Sequence, residues 1–244
     1  HHLHLDDDWL DRDRRIGGIS IGAAAKRFAM ARSQVVEALS ESIRIDLLQR
    51  GLPAAKIVVA PCSFTDLTLC KPIWPKERWV VFLGRFVEIK RPLLLLEAIP
   101  KVLAHHPDVH FYFLGEGNLQ PQMEARLQAL GISAAVTMRF EPQPTQVLNR
   151  SSIFVSLQVE ENYPSQSLLE AMACGNAIVA TDVGETWRLV DPSNGLCVQP
   201  DETSVTAALL ILLADPALQE RQTRSRQRVL TDYTPERFLA YIQA

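Results

Sequence analysis

The chain has 244 residues, 47% hydrophobic and 22% charged, an ordinary composition for a soluble globular protein with room for one large domain, or one domain and part of another. A formal net charge of −3 gives no reason to expect nucleic-acid binding, and no apolar run reaches membrane-spanning length or reads as a signal peptide. Cys62, Cys70, Cys174 and Cys197 lack C-x-x-C spacing and read as reduced thiols of a cytoplasmic protein, not as a disulfide frame or zinc site. Peripheral contact with a membrane is left open.

The sequence opens at His1 without Met, and no complete α/β half precedes the first linker, so it reads as a fragment of a longer chain. His1-His2-Leu3-His4-Leu5-Asp6 lacks the further His that a metal site would need, and the Asp/Arg run from Asp6 to Arg15 reads as a solvated face. A helix is predicted over Gly22–Ala31 and a strand over Ser33–Leu39. Ser40 caps a helix over Glu41–Arg50 that Gly51 stops, and a strand covers Lys56–Ala60. Pro61, Pro72 and Pro75 mark residues 61–77 as a linker. The predicted organisation is a partial domain over 1–60, that linker, a ligand-binding domain over 78–232 and a C-terminal helix over 233–244.

From residue 78 the alternation becomes regular. Predicted strands cover Arg78–Leu83, Val109–Leu114, Val136–Phe140, Ile153–Leu157, Ala177–Thr181 and Gly195–Val198. Predicted helices follow Pro92, with Leu95, Ile99, Val102 and Leu103 on one face, and follow Gly117, with Leu119, Met123, Leu127 and Leu130. A short helix lies near Thr145–Asn149, and Asp201–Ala214, Pro216–Leu230 and Pro235–Gln243 are helical. Strands separated by helices of this length imply a Rossmann-like, doubly wound parallel α/β sheet. Ligands of such sheets bind beyond the carboxyl ends of the strands.

The most informative stretch runs from Glu160 to Gly175. An acidic loop enters a helix expected to begin at Pro164, which has no N–H to leave unpaired at the first helical position. Ser165, Gln166 and Ser167 bring free backbone N–H groups to that end, where anions bind. Leu168, Leu169 and Met172 form the buried stripe, and Gly175 ends the helix. Glu170 sits among these apolar residues and needs a partner, either a ribose diol or a basic side chain.

This run resembles the signature of the group 1 (family 4) retaining glycosyltransferases, which have the two-domain GT-B fold. Leu168-Leu169-Glu170-Ala171-Met172-Ala173-Cys174-Gly175 carries the match. Family members have two Glu separated by seven residues. Counting back from Glu170 gives Asn162, with Glu161 one residue further away. Either the loop bulges and Glu161 takes the role, or the Asn162 amide replaces a carboxylate. The resemblance covers roughly residues 35–235. It makes residues 1–60 the end of an acceptor-side domain and the rest a donor-binding domain.

The resemblance implies a nucleoside-diphosphate sugar as donor, no metal and no cofactor. Gly84-Arg85 and Lys90, after the first strand of the larger domain, fall where the family holds an Arg and a Lys on the donor diphosphate. Two cations there stabilise the charge that grows as the glycosidic bond breaks. Gly115-Glu116-Gly117 falls on a loop that lines the nucleotide pocket, although a lone G-x-G serves a plain turn equally well. Phe140 falls where relatives read the base, or is core. Glu161 or Asn162 meets the hydroxyls of the donor sugar, and Glu170 the ribose. Gly184-Glu185 and Arg188 stand where the family has two glycines and a later Glu. Arg91 reads as surface, and His105 and His106 as favourable charge at a helix end.

The function expected is sugar transfer, with retained configuration, from a nucleoside-diphosphate sugar to an acceptor that the sequence leaves open: a glycan, a lipid-linked sugar or a small molecule. Two alternatives stay beside it, a nucleotide-sugar-binding module without catalysis and a GT-B-shaped nucleotide-sugar epimerase or phosphorylase.

Overall fold

The computed structural model describes residues 4–5, 15–16, 19–59 and 64–243. The His1–Asp6 string lies mostly outside the described residues, as do Ala60, Pro61 and Cys62. The chain divides into two compact units, His1–Cys62 and Ser63–Ala244.

In the smaller unit, β1 (His4–Leu5), β4 (Val36–Ala38) and β5 (Ile57–Val59) form a parallel sheet in the order β1-β4-β5. A separate antiparallel pair joins β2 (Arg15–Ile16) and β3 (Ile19–Ser20). Two helices, α1 (Ile21–Arg32) and α2 (Glu41–Gln49), alternate with these strands. Ser40 caps α2 as expected, its hydroxyl accepting from the Ile43 N–H at 3.3 Å. Met30, Val36, Ala38, Leu47 and Ile57 form a small core.

The larger unit is built on one six-stranded parallel sheet. In chain order its strands are β6 (Glu77–Leu83), β7 (His110–Leu114), β8 (Val136–Arg139), β9 (Ser151–Ser156), β10 (Ala177–Thr181) and β11 (Gly195–Val198). Their order in space is β11-β10-β9-β6-β7-β8, all parallel. The helices are α3 (Pro92–His105), α4 (Gln120–Ala129), α5 (Thr145–Leu148), α6 (Gln166–Ala173), α7 (Glu202–Ala214), α8 (Leu218–Asp232) and α9 (Pro235–Gln243).

Burial on both faces explains the near-continuous apolar strands. Along the strands, Val80, Phe82, Phe111, Phe113, Ile153, Val155, Ala177 and Val179 face one core with Leu95, Ile99 and Val102 of α3 and Leu209 and Leu212 of α7. Val81, Leu114, Phe154, Ile178 and Ala180 point the other way, onto Leu168, Leu169 and Met172 of α6 and Val229 of α8. The chain runs outward from β6 to β8, returns to the far side of β6 at β9, and runs outward again. The carboxyl ends of β6 and β9 are therefore neighbours at the point where the strand order reverses, the place where ligands of such sheets bind.

Four expectations need correction. Helix α6 begins at Gln166, with Ser165 as its extended N-cap, so Pro164 precedes the helix instead of opening it. Likewise α8 starts at Leu218, with Pro216 in the turn before it. Strand β8 stops at Arg139, and Phe140 is 64% exposed instead of being core. Arg91 is half-buried, has a left-handed backbone (φ 49°), and donates from Nη1 to the Pro200 carbonyl at 2.8 Å.

Candidate functional site

The loops after β6, β7, β9 and β10 meet at the carboxyl edge of the sheet. The first two are pressed together by backbone hydrogen bonds. The Gly84 N–H donates to the Leu114 carbonyl at 3.0 Å, the Phe86 N–H to Glu116 at 2.8 Å, and the Leu119 N–H to Phe86 at 3.0 Å. A Cβ on Gly115 would sit 2.0 Å from the Gly84 oxygen, and one on Gly117 2.3 Å from the Phe86 oxygen. Close backbone approach therefore accounts for both glycines without a ligand.

That packing sets the direction of the following turn, which carries Arg85 and Lys90. Lys90 is half-buried, and its Nζ donates to Gln158 Oε1 at 2.8 Å. The Val159 N–H also donates to the Ile89 carbonyl at 3.0 Å, so the loops after β6 and β9 are joined at the crevice between those strands. Burial pushes the Lys90 pKa down, and the nearby charge of Arg85 pushes it the same way. Arg85 is exposed, and among the described residues neither cation has a carboxylate partner.

Beside Gln158 lies a small cleft lined by Ser156, Gln158, Asn162, Tyr163, Ser165, Leu168, Ala180, Thr181, Val183, Thr186 and Leu189. None of these side chains carries a full charge at neutral pH. The Thr181 hydroxyl donates to the Gln158 carbonyl at 2.7 Å and so fixes that residue from the β10 side. Helix α6 opens at the cleft. Among the described residues no acceptor meets the N–H groups of Gln166, Ser167 or Leu168, and the first bond of the helix runs from Leu169 N–H to the Ser165 carbonyl. The Ser165 and Ser167 hydroxyls lie 3.4 Å apart, and Gln166 Nε2 donates to the Phe64 carbonyl at 3.3 Å.

The two candidates for the first acidic position part company here. Asn162 is exposed and lines the cleft. Glu161 instead lies against the loop after β10, its Oε1 accepting from the Glu185 N–H at 3.1 Å. Glu170 is half-buried one turn into α6. Burial pushes its pKa up, and among the described residues no hydrogen bond or ion pair reaches its carboxylate. Its charge is felt by Cys70 and Cys174, and it is not part of the cleft lining.

The structure therefore brings Arg85, Lys90, Asn162 and the start of α6 to one edge, with Lys90 reaching the cleft through Gln158. Gly84, Gly115 and Gly117 shape the adjoining loops, and Phe140 is exposed at the end of β8 beside the Arg139–Glu141 ion pair (2.8 Å). Sequence reasoning missed Gln158, Ser156, Thr181 and Thr186. Gln158 follows β9 directly, and a polar residue just past a buried strand at this edge was the available signal. His106 Nδ1 lies 3.1 Å from an Nη of Arg78, and His105 Nδ1 lies 3.1 Å from the Lys101 carbonyl, so both have local structural partners. Among the described residues no three His, Cys, Asp or Glu side chains converge as a metal site, and no helix is long and apolar enough to cross a membrane.

Comparison with known proteins finds relatives of this chain and of this fold. The family model described as glycosyl transferases group 1 matches residues 77–215. The phosphatidyl-myo-inositol mannosyltransferase of Mycolicibacterium smegmatis is 29% identical over 212 residues, covering 85% of this chain and 50% of the relative. The D-inositol 3-phosphate glycosyltransferase of Rhodococcus erythropolis is 29% identical over 218 residues, covering 81% and 48%. The chain thus spans about half the length of the curated relatives it matches. Among solved structures, TarM of S. aureus superposes with a TM-score of 0.81 at 20% identity, over 99% of this chain and 49% of its own. HepE of Anabaena, solved with UDP and glucose, gives 0.79 at 17% identity over 90% and 65%.

Proposed function

The chain belongs to the group 1 glycosyl transferases, and on that premise we propose that it is the donor-binding part of a retaining enzyme that moves a sugar from a nucleoside-diphosphate sugar to an acceptor. The observation that carries this reading is the Lys90–Gln158 bridge across the β6/β9 crevice, beside a helix whose first amides have no acceptor among the described residues. A diphosphate supplies what both lack. Its oxygens accept from Gln166, Ser167 and Leu168, and its charge faces Lys90 and Arg85. Glu170 accepts from the two ribose hydroxyls, and Asn162 meets hydroxyls of the sugar.

In this reading the chemistry needs no charged group at the sugar itself. As the glycosidic bond lengthens, negative charge moves onto the departing diphosphate, which the two cations and the helix amides would stabilise. The acceptor oxygen enters on the face the diphosphate leaves, and the anomeric configuration is kept. Asn162 in place of a carboxylate favours a second reading, binding without transfer. It differs in one outcome, the absence of product.

Relatives solved with UDP make UDP and UDP-glucose the first probes. A thermal-shift screen with UDP, GDP and ADP and their hexose conjugates tests binding. At a hundredfold excess over Kd, a ligand specific to the folded state adds about 2.7 kcal/mol. A melting temperature unmoved by every nucleotide defeats the proposal. With the full-length protein, anomeric NMR of the product reports retention, and binding without any product supports the second reading.

A further inference from the structure

We propose that Glu161 is a positioning residue whose carboxylate locks the loop after β10, so that Asn162, and not Glu161, is turned to the donor sugar. The second half rests on reading the cleft as the donor site. The first half does not.

The lock is built from contacts that return to their starting point. Gly184 has a left-handed backbone (φ 51°), and a Cβ there would lie 2.4 to 2.6 Å from Cγ, Cδ and Cβ of Glu161. The Glu161 side chain therefore lies flat on the Gly184 backbone, in space that any larger residue would take. Its Oε1 accepts from the next N–H, that of Glu185, at 3.1 Å. Glu185 in turn pairs with Arg188 at 2.8 Å. The Arg188 guanidinium stands 5.6 Å from the ring centre of Tyr163, and the Tyr163 hydroxyl is 3.0 Å from that of Tyr233. Both neighbours of Asn162 are thus tied to the same loop. Asn162 lies between them, exposed and lining the cleft, and the locked loop supplies Val183 and Thr186 to the same wall.

The bond that ties Glu161 to this loop is acceptance from a backbone N–H. A glutamine oxygen does that equally well, whereas a carboxylate acting on a sugar or on developing charge is not replaced so simply. The test compares Glu161→Gln, Glu161→Ala and Asn162→Ala. Two quantities are read: amide hydrogen exchange over residues 183–188, and the ratio of Kd for UDP to Kd for UDP-glucose, repeated with GDP and GDP-mannose.

Glu161→Gln is expected to match the wild type in both. Glu161→Ala should speed exchange at the Glu185 amide and cut the sugar-dependent part of the affinity by about tenfold, the loss of one good hydrogen bond. Asn162→Ala should cut that ratio similarly while leaving exchange unchanged. If Glu161→Gln keeps wild-type exchange but loses the sugar-dependent affinity, its charge meets the sugar and the proposal is wrong. An unchanged ratio in Asn162→Ala overturns the sugar-facing role. If no nucleotide binds, the donor reading has failed on its own, and equal exchange in wild type and Glu161→Ala would still overturn the lock.

Discussion

Replacing Lys90 by Met removes one charge and keeps most of the side-chain volume. In the unliganded fold this should change stability little. Burial already holds the Lys90 pKa below its ordinary value, so its ammonium costs the folded state free energy that Met releases. Against that, buried Gln158 loses the donor on its Oε1, which costs about 1 kcal/mol or more. The two effects oppose, and the melting temperature should move by less than about 4 °C. Nucleotide binding should change much more. A charge-assisted hydrogen bond to phosphate contributes about 1.5–3 kcal/mol, or roughly 10- to 150-fold in Kd. Isothermal titration with UDP or GDP reads this directly. Lys101→Met is the control, because Lys101 is exposed and pairs with Glu202 at 2.8 Å, and it should bind as the wild type does. The pH dependence carries the same signature. A diphosphate favours the ammonium, so affinity should fall as pH rises through the lowered Lys90 pKa, and that fall should vanish in Lys90→Met. A Lys90→Met protein that binds nucleotide with wild-type affinity would refute the placement of the diphosphate at this turn.

Glu170→Gln should raise the melting temperature at neutral pH, since burial raises the carboxyl pKa and the wild-type penalty is relieved only as pH falls through that pKa. Glu170→Ala should erase the preference for UDP over 2′-deoxy-UDP, measured by competition titration; an undiminished preference removes Glu170 from the ribose. Gly115→Ala puts a methyl 2.0 Å from the Gly84 oxygen on a backbone with φ 152°, and should cost at least about 2 kcal/mol, seen as a melting temperature lower by roughly 4–8 °C. Asp191 is held down to about 2, because its bonds from Ser193 and Arg228 outweigh a burial effect that acts upward. Its contribution to stability is therefore whole above the unfolded carboxyl pKa of about 3.9 and lost as pH falls toward about 2. Urea titrations of Asp191→Asn should show a shallower loss of stability across that window, and an identical acid slope would show that the carboxylate contributes nothing.

Much of the larger unit was legible because its signals are local. Ala177–Thr181 is a strand over its predicted residues, as is Gly195–Val198, since each is apolar and bounded by residues that cannot continue it. Leu168, Leu169 and Met172 marked the buried face of α6 correctly, but Pro164 suggested a start two residues early. The helix takes its N-cap from Ser165, whose extended backbone decides the boundary, and a sequence does not display that angle. The surface reading of Arg91 and the core alternative for Phe140 failed for a different reason. What surrounds them depends on Pro200, far along the chain, and on where β8 ends. The partner of Gln158 and the true setting of Glu161 were out of reach until the strand order was known, because only the adjacency of β6, β9 and β10 brings Lys90 to one and Gly184 to the other.

Lys90 and Glu170 carry opposite charges, yet burial pushes both toward their neutral forms, and among the described residues neither has a partner of opposite charge. Elsewhere in this unit Arg126 meets Glu97, Arg228 meets Asp191 and Arg221 meets Asp215, while Lys76, whose pKa burial lowers to about 8, has its ammonium satisfied by the Asn149 and Cys174 carbonyls. Buried charge without a partner lowers stability, and on the proposed reading Lys90 and Glu170 are kept for a donor that brings an anion to one and hydroxyls to the other. One molecule carrying an anion at one end and hydroxyl donors beyond it relieves the amides, the cation and the carboxylate together. This predicts that a nucleoside diphosphate stabilises the protein more than the sum of free pyrophosphate and nucleoside measured separately by thermal shift. Equal or smaller stabilisation would mean that Lys90 and Glu170 do not serve one ligand.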